Sequence, residues 1–202
     1  MIYTWQTTIP AWDISMAIEQ LVRGRIESRA HLPPPADKLL SQDQAREFVK
    51  SAHALGKTVV LLEGTWDLTH AGHVQHIREA KKHADLVLLR LASAEYAVNY
   101  KGPYRPLEMF RDMVVSEFED VDAVFVDQTV VSPDDIAENA HILYQLGVDK
   151  IALEVEDDKF LQKMKSTDYA NRHLGAKIQP VVLVLPYVNS TTAIINKIKS
   201  MV

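Results

Sequence analysis

Apolar residues in this chain are concentrated in short continuous runs, separated by longer segments in which apolar and polar positions alternate with helical spacing. Runs that are apolar on both faces are typical of strands in a parallel sheet covered by helices on both sides. Their alternation with helical segments predicts an α/β fold with a Rossmann-like, doubly wound parallel sheet. The predicted strands are 58–62, 86–91, 123–126, 151–153 and 181–185.

The intervening segments carry signals for helix ends. Ser41 and Gln44 form a capping-box pattern before a helix that we expect to run to about residue 55 and end at Gly56. We expect Ser132 to cap the helix that follows the third strand, and Gly147 to end it. That helix covers residues 133–146, and further helices are predicted over residues 72–83, 107–118 and 157–174.

Residues 1–37 differ from the rest of the chain. Apolar residues recur with helical spacing from Ile14 to Val22, and an arginine-rich stretch and a proline-rich linker follow. The pattern predicts an N-terminal helical extension, with the main domain over residues 38–202. The apolar face of this helix needs a partner, which we expect to be the main domain, with a dimer contact as the alternative.

Composition narrows the function classes. The 202 residues, 47% hydrophobic and 24% charged, suit one globular domain with a short appendage. No apolar run is long enough to span a membrane and no secretory leader is apparent, so we expect a cytoplasmic protein without a membrane partner. The absence of cysteine excludes thiolate catalysis, and the net charge of −5 argues against a nucleic-acid partner.

The loop after the first long strand contains the strongest chemical signal. His70, Gly72 and His73 lie where the loop opens a helix, and a helix N-terminus favours an anion through its free N–H groups and its dipole. Two imidazoles and a close backbone approach at glycine predict a phosphate site there. A helix cap is one alternative. A zinc site with His76 is a weaker one, because His70 and His76 do not share a helix face.

The sequence GTWDLTHAGH resembles the GxFDxxHxGH signature of the cytidylyltransferase-like nucleotidyltransferases. Residues 38 to about 200 are similar to the nucleotidyltransferase domain of bacterial ADP-heptose synthesis enzymes, with KGPYRP, VDAVFV and NSTTAIINKI in the same order. The resemblance implies transfer of the NMP part of ATP or CTP to a phosphorylated small metabolite, such as heptose 1-phosphate, with release of pyrophosphate.

The resemblance also implies roles for individual residues. The expected partners are a nucleoside triphosphate with Mg²⁺, the phosphorylated small molecule and a second copy of the chain in a homodimer. Asp67 is the nearest candidate carboxylate for Mg²⁺, although a turn-forming role fits it equally well. No protein-held metal site is expected. The implied catalytic residues are His70, His73, Lys101 and Arg111, and the implied nucleotide-binding residues are Gly64, Thr65, Asp67, Gly72, Ser190, Thr191 and Thr192.

Two segments depart from the resembled pattern. RLASAEY stands where the family has GVNSD, and EVEDD stands where the family has KGGDY, which introduces Glu154, Glu156 and Asp157 near the nucleotide. Carboxylates there repel a phosphorylated substrate or pair with a cationic part of another. Two alternatives therefore stay open: a CDP-alcohol-forming enzyme of the glycerol 3-phosphate type, and a non-catalytic nucleotide-binding subunit. An aminoacyl-tRNA synthetase fragment is disfavoured because the chain is short and acidic.

Overall fold

The computed structural model describes residues 38–101, 111–155, 157, 159–185 and 191–201, with only the backbone at Lys101, Arg111, Met113 and Thr192. The predicted N-terminal extension, residues 1–37, lies outside them. The strands are β1 (Leu39–Leu40), β2 (Val59–Gly64), β3 (Leu86–Ala92), β4 (Ala123–Asp127), β5 (Lys150–Glu154) and β6 (Gln179–Leu183). The helices are α1 (Gln42–Ala54), α2 (Ala71–Lys81), α3 (Ala94–Lys101), α4 (Arg111–Ser116), α5 (Ile136–Leu146), α6 (Phe160–His173) and α7 (Thr191–Lys199).

These strands form one parallel sheet in the order β1-β4-β3-β2-β5-β6. β2 pairs with β3 in the register Val59↔Leu86 and with β5 in the register Val60↔Lys150. The chain winds outward on one side of β2 and returns to begin the other side at β5, so the strand order reverses between β2 and β5. The predicted doubly wound α/β sheet is confirmed, and ligands in such sheets bind beyond the carboxyl ends of the strands at this reversal.

Helices bury both faces of the sheet, which explains why the strands are apolar on both sides. On β2, Val59 and Leu61 pack in one core cluster with α1, α5 and α6. Val60 and Leu62 pack in the other, which includes residues of α2. All four side chains are fully buried.

Several helix ends match the sequence signals and others differ. The Ser41–Gln44 capping box is present, and Gly147 ends α5 with a φ of 70°. Ser132 as the cap of α5 is wrong: Asp135 accepts from the backbone N–H of Glu138 at 3.1 Å. The Ser132 hydroxyl accepts from Asp134 instead, in a turn before the helix. Local side-chain hydrogen bonds decide where a helix begins, and periodicity alone does not reveal them.

Two elements have no counterpart in the sequence prediction. β1 is only two residues long, too short to show a periodic pattern, and α3 begins within the RLASAEY segment that departs from the family signature. Ser93 helps to start α3 because its hydroxyl accepts from the backbone N–H of Tyr96 at 3.0 Å. β6 begins two residues earlier than predicted and includes Pro180. A proline is tolerated there because β6 is the last strand of the described sheet.

Lys38 ties the start of the described chain to α4. Its side chain is 2% exposed, and its ammonium donates to the carbonyl oxygens of Ser116 at 2.6 Å and Phe118 at 3.0 Å. These carbonyls lie at the carboxyl end of α4, where a cation is favoured. Within the described part of the chain, no helix has the length and apolar character needed to cross a membrane.

Candidate active site

The loop between β2 and α2 carries the predicted phosphate site. His70 is the N-cap of α2, in an extended conformation with φ −140° and ψ 174°. Its ring Nδ1 accepts from the backbone N–H of Gly72 at 3.2 Å. The predicted helix start is therefore confirmed, and the Gly72 N–H is already used by the His70 ring.

The two histidines of the loop form a stacked pair. The ring centroids of His70 and His73 are 4.0 Å apart, with an angle of 22° between the planes. Trp66 lies against His73 at a centroid distance of 5.0 Å and is 2% exposed. The backbone of Trp66 has a φ of 55° and that of Leu68 a φ of 42°, which is left-handed and unfavourable for such side chains. Strained backbone of this kind concentrates at functional sites, where the surrounding packing holds it.

The hydrogen bond of the His70 ring determines which of its two nitrogens carries the proton when the ring is neutral. Because Nδ1 accepts from Gly72, the proton of the neutral ring lies on Nε2. Burial lowers the pKa of His70 below its usual value, although Asp67 opposes the shift. At neutral pH the ring is therefore mainly uncharged and has one N–H to donate.

Asp67 holds the histidine loop in place through hydrogen bonds. It is 1% exposed, and its Oδ1 accepts from the hydroxyl of Thr65 at 2.9 Å and from that of Thr191 at 3.3 Å. The Thr191 hydroxyl also lies 3.0 Å from the Asp67 carbonyl oxygen, to which it donates. The start of α7 is thus held beside the histidine loop. This arrangement gives Asp67 a structural role, and its role as a Mg²⁺ ligand stays a prediction.

Gly64 allows the strand to pass the indole ring. A Cβ at this position would lie 3.2 Å from Trp66 Nε1, which is closer than ordinary packing allows without a shift. Contacts at the loop thus bring together Gly64, Thr65, Asp67, His70, Gly72, His73 and Thr191, while their roles in binding and catalysis stay predictions.

The other predicted residues are located only in part. Lys101 is the last residue of α3 and Arg111 the first of α4, but their side chains lie outside the description. Ser190 lies outside the described residues, and Thr192 is described by its backbone in the first turn of α7. Their proposed contacts with phosphate stay predictions.

A cavity of about 210 Å³ adjoins the histidine loop at the carboxyl ends of β2 and β5. Charged residues from several elements meet there. Arg90 on β3 pairs with Glu63 on β2 and donates from Nε to Asp127 on β4 at 2.6 Å. Lys163 on α6 pairs with Asp157 at 2.6 Å and donates to the Glu63 carbonyl oxygen at 3.3 Å. We call these five residues the charged cluster.

Burial and neighbouring charges shift the pKa values of the groups around the cavity. Burial acts to lower the pKa of Arg90 and of Lys163, but the adjacent carboxylates outweigh it and raise both. Burial raises the pKa of Tyr96 to about 12. Burial, helped by the charge of Lys163, lowers the pKa of His76 to about 4. Both cations thus stay charged at neutral pH, while His76 is neutral.

The charged cluster is absent from the sequence prediction. A signal for it exists: Glu63, Arg90 and Asp127 are charged residues at the carboxyl ends of three apolar runs that become neighbouring strands. The sequence analysis already names Asp157 as one of the acidic residues of EVEDD. Its ion pair with Lys163 is known only from the structure. The acidic departure at this position is therefore balanced by a cation from the next helix.

Among the described residues, no group of three or more histidine, aspartate or glutamate side chains is arranged to hold a metal ion. His76 packs against Trp66 at a centroid distance of 6.2 Å and lies 3.8 Å from a Glu154 carboxylate oxygen. These contacts place His76 in the wall of the cavity.

The doubly wound sheet carries the loop between β2 and α2 at the reversal of strand order. These two features define a class of α/β protein that binds nucleotides. A sequence model of the family described as cytidylyltransferase-like matches residues 61–197, which is more than half of the chain. The chain belongs to this family and is a nucleotidyltransferase enzyme.

Individual relatives agree with this assignment. The chain is 32% identical to the bifunctional protein HldE of Wolinella succinogenes over 99 residues, which is 48% of this chain and 21% of that protein. It is 27% identical to the HldE protein of Campylobacter fetus over 172 residues, 80% of this chain and 31% of that protein. The chain thus spans less than a third of the length of these curated relatives.

A solved structure supports the fold. The lipopolysaccharide core biosynthesis protein from Thermoplasma volcanium aligns with a TM-score of 0.50 at 22% identity. The alignment covers 65% of this chain and 99% of that protein. At this level of identity the likeness concerns the fold alone.

Proposed function

We propose that this enzyme joins a sugar 1-phosphate, with heptose 1-phosphate as the first candidate, to the NMP part of ATP or CTP and releases pyrophosphate. The stacked His70–His73 pair at the start of α2 is the observation that carries the proposal. A helix N-terminus with imidazole N–H groups suits the oxygens of a triphosphate. The resemblance to HldE proteins supports the sugar phosphate.

In the proposed reaction, a phosphate oxygen of the sugar phosphate attacks the α-phosphorus of the nucleotide. A new P–O bond forms as the bond from the α-phosphorus to the bridging oxygen of the β-phosphate breaks, and pyrophosphate leaves with its electron pair. The attacking phosphate is already anionic, so no protein base and no covalent enzyme intermediate are needed. Catalysis is then mainly in-line positioning and neutralisation of charge.

The residues of the loop take defined parts in this scheme. His70 donates from Nε2 to a phosphate oxygen, and His73 holds the triphosphate beside it. We assign Lys101 and Arg111 to balance charge at the α-phosphate, and Ser190, Thr191 and Thr192 to the nucleotide at the start of α7. Mg²⁺ enters as the complex of the nucleoside triphosphate, since this ion is usually held largely by substrate phosphates and water.

The second candidate is a CDP-alcohol-forming reaction with glycerol 3-phosphate as acceptor, because the family assignment does not separate ATP from CTP. The third is a nucleotide-binding subunit without turnover. The acidic EVEDD segment favours this candidate, but the pairing of Asp157 in that segment with Lys163 weakens the argument for it. Glu156 lies outside the described residues.

The experiment for the proposed function compares pyrophosphate release by the wild type and by His73→Ala, both as the full chain. Mg²⁺, the nucleoside triphosphate and the sugar 1-phosphate are present in both assays. We expect a loss of roughly 100-fold or more in kcat, as for removal of one transition-state donor. His141→Ala is the matched control, because His141 is exposed on α5, and its activity should equal that of the wild type. Full activity in a folded His73→Ala variant would remove the histidine pair from the mechanism.

A further inference from the structure

The side chains of β6 alternate between a covered face and an open face. Val181 and Leu183 pack in the core cluster that includes residues of α2, and the alternation continues beyond the strand to Leu185. Successive side chains of an extended chain point to opposite faces, so Val182 and Val184 lie on the other side of the sheet. They are 48% and 79% exposed. Among the described residues, no helix therefore covers this face of β6.

A third exposed valine extends this face onto the neighbouring strand. The N–H of Val155, just after β5, donates to the carbonyl oxygen of Leu183 at 3.1 Å. This hydrogen bond continues the pairing of β5 with β6 and places Val155 beside Val184. Val155 is 42% exposed. We call Val155, Val182 and Val184 the valine face, and contiguous exposed apolar surface of this kind marks an interaction site.

The missing cover on this side of the sheet has the dimensions of a helix. α1, α5 and α6 supply the helix residues of the core cluster that contains Leu153, and Leu153 lies opposite Val182 in the sheet. Helices cover the strands of a parallel sheet because both faces of such a sheet are apolar. β6 has 5 residues and is about 17 Å long, the length of about 11 residues of α-helix. An amphipathic helix of about three turns therefore fits beside α6.

Residues 1–37 are the longest stretch of the chain outside the described residues. The helix predicted there has its apolar stripe at Ile14, Ala17, Ile18, Leu21 and Val22. From residue 14 to residue 22 an α-helix is about 14 Å long, close to the length of β6. The stripe is therefore long enough to cover the valine face.

The connection from this stripe to the main domain is long enough to reach the valine face. The described chain begins at Lys38, next to β1, and β1 and β6 are the two ends of the six-stranded described sheet. The distance between these two strands is about 24 Å. Residues 23–37 span up to about 50 Å when extended, and the prolines at 33–35 favour an extended chain.

Charge favours the same pairing. Residues 1–22 contain two acidic side chains and no lysine or arginine, and the arginines that follow belong to the connection. Residues 159–185, which form α6 and β6, contain five lysine or arginine residues and one aspartate. Lys163 pairs with Asp157, which leaves four basic residues against one acidic residue, a net charge of +3. A second copy docked through the same face would bring two basic surfaces together, whereas the acidic stretch complements one.

We propose that residues 14–22 dock as a helix on the valine face of the same chain, beside α6. The helix completes the layer formed by α1, α5 and α6 and covers the edge of the sheet from which the chain leads on to α7. The apolar stripe thus has its partner in the main domain rather than in a second copy. The assignment goes beyond the proposed function, because it holds for any acceptor.

The chain contains no cysteine, so a pair of introduced cysteines reports this contact directly. Ile18→Cys is combined with Val184→Cys in the full chain, which is treated with a short bismaleimide at low protein concentration. We expect an intramolecular cross-link, detected by gel mobility and peptide mass spectrometry, because docking gives the two thiols a high effective concentration. The rate of cross-linking should stay the same when the protein is diluted.

Ile18→Cys with Tyr144→Cys is the matched control. Tyr144 is 49% exposed on α5, which contacts α1, the helix that follows β1. A segment that is only tethered at the start of β1 meets Tyr144 at least as often as Val184. We expect at least about tenfold less cross-link in the control. Equal yields overturn the proposal, and so does a product of twice the mass, which assigns the segment to a second copy.

Melting temperatures provide a second readout without cysteines. Val184→Glu on an open face should change stability little, as for other surface substitutions. Because the docked segment covers this side chain, we expect the melting temperature to fall by at least about 2–4 °C. Ile18→Glu already releases the segment, so Val184→Glu should have no further effect in that background. Tyr144→Glu is the control and should melt within about 1–2 °C of the wild type. The same fall from Val184→Glu in both backgrounds overturns the proposal.

Discussion

At the residue scale, His70 and His76 have different roles although they are only six positions apart. His70 caps α2 and keeps an N–H to donate, whereas His76 is packed against Trp66 in the cavity wall. Both have lowered pKa values because burial disfavours the charged ring. The helical spacing predicts that they face apart, but only the packing explains why His76 stays neutral.

The lowered pKa of His76 has a consequence for stability. The pKa of His76 in the folded protein, about 4, lies below the usual histidine value of 6.5, so the unfolded chain takes up the proton first as the pH falls. Stability from this group is complete above pH 6.5 and is lost as the pH falls through this window towards 4. The loss in unfolding free energy amounts to about 3 kcal/mol.

Urea unfolding at pH 7 and pH 4 measures this effect. His76→Gln should lose about 3 kcal/mol less than the wild type between these two pH values. His83→Gln is the control, since His83 is exposed after α2, and it should follow the wild type. Identical pH dependence of wild type and His76→Gln would show that His76 is not the neutral buried group.

At the scale of elements, the site depends on two helix starts that meet at one loop. The start of α2 carries the histidine pair, and the start of α7 is joined to the same loop through Thr191 and Asp67. The sequence predicts both starts, because HxGH follows an apolar strand and NSTT precedes an amphipathic helix. It does not predict their contact, which is made by residues 124 positions apart.

Thr191→Val tests this contact between elements. Loss of the hydroxyl leaves buried oxygens of Asp67 without this donor, which should lower the unfolding free energy by about 1–3 kcal/mol. KM for the nucleotide should rise as well, because α7 is no longer held beside the loop. Ser200→Ala removes an exposed hydroxyl in the turn after the same helix and serves as the control. Equal stability and equal KM in the two variants would show that the Thr191 hydroxyl does not hold α7 beside the loop.

For the whole molecule, the order of strands decides where chemistry occurs. Runs apolar on both faces predict the doubly wound sheet, and the edge that carries the loops follows from it. The charged cluster cannot be predicted from the sequence. Glu63, Arg90 and Asp127 come from three strands, and only the structure shows that these strands are neighbours. Exact helix ends and β1 also depend on contacts that no local pattern contains. The homodimer stays a prediction.

The most direct test of the central claim is pyrophosphate release by the full chain with Mg²⁺, with ATP and CTP each crossed against several acceptors. The acceptors are heptose 1-phosphate, other sugar 1-phosphates, glycerol 3-phosphate and phosphocholine. We expect pyrophosphate release that requires one nucleotide together with a sugar 1-phosphate. No release from any pair, in protein that still binds the nucleotide by calorimetry, would contradict it and favour a binding subunit.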